Sequence, residues 1–144
     1  MSPNRTIGQQ RRREIEGCSG RINYFGQILG ALDNSFSVSR IQGDLDLIKA
    51  DVAANLSASD DVIAVINVAK ASAEHWSTHN PDGSPISASM SNGNLTPQGR
   101  RILDADAEAG VQGAIGGIRG GPWGAVVGAI TGTVIGSAWE AIFY

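Results

Sequence analysis

Among 144 residues the chain has one cysteine, two histidines and only 6% aromatics, and its formal net charge is −3. A lone Cys18 excludes an internal disulfide framework and leaves the redox compartment open. No histidine stands at metal-ligand spacing beside it, so it reads as a small buried hydrophobe. The weak negative charge argues against nucleic acid as the main partner, because a surface that binds phosphates would make the chain basic. An unbroken apolar run is missing after the basic start "RTIGQQRRREIEGC". No signal peptide is recognisable there, and the chain is expected to be made in the cytoplasm, then to associate with a membrane or leave by a dedicated route.

Catalytic patterns are also missing. "HWSTH" sets His75 and His79 four apart, on one helix face, with Glu74 just before the pair. A zinc-protease motif requires Glu directly after the first histidine, and Trp76 stands there instead. Asp104, Asp106 and Glu108 fall at every second position, which spreads them around a helix and does not converge them on one ion. The glycines of "GGIRGG" follow no strand and continue at helical spacing, unlike a phosphate loop. The serines of residues 77–95 have no partnering base. No catalytic, cofactor-binding or metal residue is therefore expected, no cofactor is implied, and the chain is not read as an enzyme.

What is present is helical periodicity. Ile15, Cys18, Ile22, Phe25, Leu29, Leu32 and Phe36 alternate three and four apart, a helix seam that "DNSFS" ends. Val38, Ile41, Leu45, Ile48, Val52 and Leu56 repeat it in a second helix. "SASDDVIAVINVAKASAEHW" offers Ser57, Ser59 and Asp60 as caps, and its length to Trp76 favours helix over a buried strand. Residues 77–95 are dense in Pro, Gly, Ser and Asn, have no period, and read as a mobile polar loop or linker. Thr96 before Pro97 is a helix start, a hydroxyl cap followed by proline at the first helical position. The helix it opens should run to about Ile118, break at Gly120, Gly121 and Pro122, and give way to a last helix from Trp123 to Phe143.

Glycine is abundant, with 19 copies, and it recurs at 116, 120, 124, 128, 132 and 136. Each glycine in a helix interior costs about 1 kcal/mol relative to alanine, so a regular row implies a compensating contact. Residues four apart share a helix face. Gly124, Gly128, Gly132 and Gly136 would form a flat GxxxG groove, facing a second row of Gly113, Gly116, Gly117 and Gly120 in a helical hairpin. Such faces suit membrane helices, where close backbone contact replaces the hydrophobic effect. Gly120 to Trp139 carries no charge across 20 residues, long enough to span, and Trp123 and Trp139 flank its core. Its Gly, Thr and Ser content makes insertion marginal. The uncharged run from Ala109 to Ile118 is too short to cross, so interfacial or conditional insertion is favoured over a constitutive span. A soluble, close-packed hairpin stays open as the alternative.

The stretch "DADAEAGVQGAIGGIRGGPWGAVVGAITGTVIGSAWEA" resembles the glycine-zipper tails of small bacterial proteins described as bacteriocin-like or uncharacterised. "SPNRTIGQQ" and "VAKASAEHW" are similar to an uncharacterised group with the same tail. The resemblance implies membrane insertion through zipper-paired helices and a separate immunity protein. It does not extend to the short leader ending in Gly-Gly that usually precedes such peptides.

The expected architecture is all-α: an amphipathic helical bundle over 1–76, of three helices, a loop over 77–95, and a glycine-zipper hairpin over 96–144. The expected function is that of a membrane-active or membrane-associating, bacteriocin-like protein. Val127, Ile130, Val134 and Ile135 would contact lipid or core, and Trp123, Trp139 and Tyr144 would sit at an interface. The partners expected are a bacterial membrane, a second copy through the glycine face, and an immunity or regulatory protein. The alternative is a soluble helical interaction or structural module whose hairpin packs within its own fold or a homo-oligomer. A phage or secretion-associated structural component is a third, weaker reading.

Overall fold

The computed structural model describes residues 19–56, 59–87, 90 and 92–117. Within them the protein is all-α. Helix α1 covers residues 19–33 of the described chain. It is followed by α2 (Val38–Asn55), α3 (Asp60–Thr78) and α4 (Pro97–Gly117). Pairing among the described residues outside the helices is limited to the isolated bridges Ser37 with Asn94 and His79 with Pro85.

Cross-helix contacts fix the direction of each element. A Cβ on Gly20 would meet Leu56, and the Tyr24 hydroxyl donates to Asp51, so α1 and α2 are antiparallel. Lys49 bonds Asn67 while Lys70 bonds Asp46, which makes α2 and α3 antiparallel. Gly99 lies against Trp76, and Ser72 donates to Asp106, so α4 runs back along α3. Arg100 reaches the carbonyls of Leu32 and Asp33, closing α4 onto α1. The result is an up-down-up-down bundle of four helices.

The period-3.6 pattern explains which faces turn inward. On α2, Val38, Ile41, Leu45 and Val52 are buried, and Ile48 packs against the same core. On α3 the run "VIAVINVA" is helical and buries Val62, Val65, Ile66 and Ala69. On α1 the inward stripe is Tyr24, Phe25, Ile28, Ala31 and Leu32, while Ile22 is 62% exposed and Phe36 48% exposed. The expected seam had placed Ile22 and Phe36 inside. Phe36 lies beyond the end of α1, and Ile22 stands about 120° around the helix from Ile28, the middle of the buried stripe. Each large aliphatic side chain buried here contributes roughly 1.5–3 kcal/mol.

The core is continuous across the polar connection. Leu103, Ala107, Val111 and Ala114 of α4 belong to the same buried cluster as Phe25, Ile41 and Ile66. The connection is tied to the bundle at several of its described residues. Leu95 is buried and its N–H donates to the Phe36 carbonyl at 2.8 Å. Val38 donates to the Gly93 carbonyl at 3.0 Å, and Ile86 to that of Thr78 at 2.7 Å. Gly93 adopts φ +73°, a conformation that glycine takes without strain. Thr96 caps α4 as its sequence indicates, its hydroxyl accepting from the Gly99 N–H at 3.0 Å. The hairpin expected over 96–144 falls within the described residues only as far as Gly117.

Candidate functional site

Helix α4 presents two faces with different commitments. Leu103, Ala107, Val111 and Ala114 line its inner face, and Asp106 is buried among them at 2% exposure. A carboxylate in such a place must be satisfied by donors. Ser72 Oγ donates to Asp106 Oδ2 at 2.5 Å and Trp76 Nε1 donates to the same oxygen at 3.2 Å. Both donors come from α3, so the cluster fixes the register of α4 against α3. Two turns earlier, a Cβ at Gly99 would stand 2.7 Å from the Trp76 carbonyl oxygen, so α4 approaches the α3 backbone closely there.

The outer face carries the start of the glycine row. A Cβ added at Gly116 would meet nothing within 4 Å. Gly113 is half-buried, and Ile115 beside Gly116 is 45% exposed. Gly116 is therefore not a residue that brings α4 close to α3. Gly117 ends the described helix. Gly120, Gly124, Gly128, Gly132 and Gly136 lie outside the described residues, as do Trp123, Val127, Ile130, Val134, Ile135, Trp139 and Tyr144.

At the other end of α4, Arg100 acts as a clamp on α1. Its guanidinium donates to the carbonyls of Leu32 at 3.1 Å and Ser35 at 3.3 Å, and to that of Asp33. The cation also stands 4.3 Å from the Phe36 ring centroid. A positive charge at the C-terminal end of α1 meets the negative end of the helix dipole and satisfies carbonyls that have no partner within the helix. Beside it, Leu29 and Leu32 floor a groove of about 290 Å³ rimmed by Asp33, Asp104 and Glu108. Burial holds the Asp104 carboxyl above its ordinary pKa; Arg100 opposes this, while Asp33 and Glu108 add to it.

His75 and His79 stack with ring centroids 4.5 Å apart and planes 7° from parallel, and His75 also meets Trp76 edge-on. Their four-residue spacing is expressed as ring stacking at the end of α3. Among the described residues no group of three or more His, Cys, Asp or Glu side chains could hold a metal ion. No described helix is long and apolar enough to cross a membrane.

Arg100, Gly99 and Asp106 were not singled out as packing residues from the sequence. Asp106 had a usable signal, since it falls three residues after Leu103 and beside Ala107 on the inward stripe. Arg100 and Gly99 had none, because their partners lie on other helices. Comparison with protein-family models, with curated proteins and with solved structures finds no match to the chain.

Proposed function

We propose that this is a membrane-associating, bacteriocin-like protein in which the helical bundle carries a glycine-zipper hairpin formed by the end of α4 and the uncharged segment that follows it. The observation that carries the reading is the division of labour on α4. Leu103, Ala107, Val111 and Ala114 bind the bundle, while the site of a Cβ on Gly116 stays open. The row beginning there is left for another contact, and Gly120 to Trp139 supplies a matching row with no charge. Close pairing of such faces suits a lipid surface. Catalysis forms no part of this reading. Ser72, the serine bonded to a buried carboxylate, is itself 9% exposed, and its hydroxyl is committed to Asp106 inside the core.

The same open glycine face also supports the rival reading, a soluble module whose row pairs with a second copy. Vesicle co-sedimentation and dye release by the full chain, alongside its mass in solution, separate the two. Gly128→Ile with Gly132→Ile is expected to abolish release while leaving the thermal unfolding of the bundle unchanged. A chain that leaves vesicles intact and forms a stable oligomer supports the rival.

A further inference from the structure

The connection between α3 and α4 turns at Asn92-Gly93, and both residues take positive φ, 41° and 73°. Among the described residues Asn92 is the one non-glycine in that conformation, which is costly for an L side chain and which asparagine bears better than most. Both residues are exposed. No described group bonds the Asn92 carboxamide, and none accepts from the Gly93 N–H. The carbonyl side of the turn, in contrast, is committed. Gly93 accepts from the Val38 N–H, the first amide of α2, a helix whose N-cap Ser37 makes no side-chain capping bond. Asn94 bridges Ser37, and Leu95 enters the core with its N–H on the Phe36 carbonyl. The turn thus supplies the acceptor that an orphan donor at a helix start needs.

We propose that Asn92-Gly93 is a site of spontaneous covalent modification, at which the chain converts asparagine to isoaspartate and so releases the start of α2. As the turn opens, the Gly93 nitrogen attacks Asn92 Cγ. The new C–N bond closes a succinimide ring, and the carboxamide nitrogen leaves as ammonia with the proton that Gly93 gives up. Water then adds to one of the two ring carbonyls. Opening on the side-chain side yields aspartate; opening on the main-chain side yields isoaspartate, whose backbone runs through Cβ and is one carbon longer. Gly93 has no Cβ to hinder the attack, which sets Asn92 apart from the other described asparagines. Asn80 precedes Pro81, which has no N–H to lose. Asn23 and Asn67 lie within helices, and the amides after Asn55 and Asn94 donate to the Val52 and Phe36 carbonyls. Asn34 precedes Ser35, whose hydroxyl and carbonyl are held by Ser37 and Arg100. An extra carbon between Asn92 and Gly93 puts the Gly93 carbonyl, the Asn94 bridge and Leu95 out of register with residues 36–38.

The full chain is aged at mildly alkaline pH beside Asn92→Gly, which keeps a positive φ without strain and has no carboxamide. Asn92→Asp, measured fresh, has the new charge without the longer backbone. Peptide mapping with electron-transfer fragmentation locates each amide lost and tells isoaspartate from aspartate, while nuclear magnetic resonance follows exchange of the Val38 amide. Residue 92 should convert ahead of every other described asparagine, with isoaspartate among its products. The Val38 amide of the aged chain should then exchange on the order of tenfold faster, as the loss of one hydrogen bond implies. Aged Asn92→Gly and fresh Asn92→Asp should exchange there like the fresh parent chain. An Asn92 still intact after other asparagines have converted, or aspartate as its only product, overturns the proposal. Isoaspartate at 92 with unchanged exchange at Val38 overturns it as well, because the start of α2 is then not released. Fast exchange in fresh Asn92→Asp would assign the effect to charge and overturn it too.

Discussion

A methyl group at Gly99 would stand 2.7 Å from the Trp76 carbonyl oxygen and 3.3 Å from the Trp76 Cβ, whereas one at Gly43, exposed on α2, would meet nothing within 4 Å. The same substitution should therefore have opposite signs at the two sites. Gly99→Ala must push α4 off α3 and is expected to destabilise by roughly 1–3 kcal/mol. Gly43→Ala removes backbone freedom from an exposed helix interior and should stabilise by about 0.5–1 kcal/mol. Urea unfolding midpoints of the two variants check both. Tyr24 gives a second residue-level test. Its hydroxyl donates to Asp51 at 2.7 Å, and that bond, then burial, then the Asp51 charge hold the phenol above its ordinary pKa. The folded state thus favours the protonated phenol. The stability this supplies is complete below the ordinary tyrosine pKa and is lost as pH rises through the higher folded value. Ultraviolet titration should find one phenol ionising late, and Asp51→Asn should bring it back toward the ordinary range.

Asp104 shows how an element can be clamped and strained at one end. Arg100 ties α4 to the end of α1 and lies 3.9 Å from Asp104, yet burial and the neighbouring Asp33 and Glu108 raise the carboxyl's pKa. An acid whose folded pKa lies above its unfolded one weighs against folding when ionised. Stability is therefore expected to rise as pH falls through the folded pKa, with the whole gain reached below the unfolded value. Asp104→Asn should raise the melting temperature at neutral pH and lose that advantage in acid, as a melting series across pH would show. The side chain is 42% exposed, so solvent screening keeps the effect small. The helices themselves were legible in the sequence. The repeat Val38, Ile41, Leu45, Val52 marks α2 because its hydrophobic period matches the helix, and Thr96-Pro97 marks the start of α4 because capping chemistry is local. The inward stripe of α1 was only partly legible, as the exposed Ile22 and Phe36 show. The docking of α4 was legible only through the place of Asp106 on the inward stripe. It depends on Gly99 meeting a backbone carbonyl and on Arg100 meeting the end of another helix, contacts between residues distant in the chain.

At the scale of the described molecule, the four helices α1 to α4 share one core, and α4 ends with Gly116 exposed at the pole where α1 begins. The regular glycine row is visible in the sequence alone, as a spacing of four. Its geometry falls within the described residues only at Gly113, Gly116 and Gly117. In the proposed function the bundle delivers an uncharged, zipper-forming segment to a bilayer. Amide hydrogen exchange of the full chain, read by peptide mass with and without anionic vesicles, tests that most directly. The account predicts strong lipid-dependent protection of the amides between Gly120 and Trp139, with exchange in α2 and α3 unchanged. Exchange from Gly120 to Trp139 that is the same with and without vesicles would contradict it.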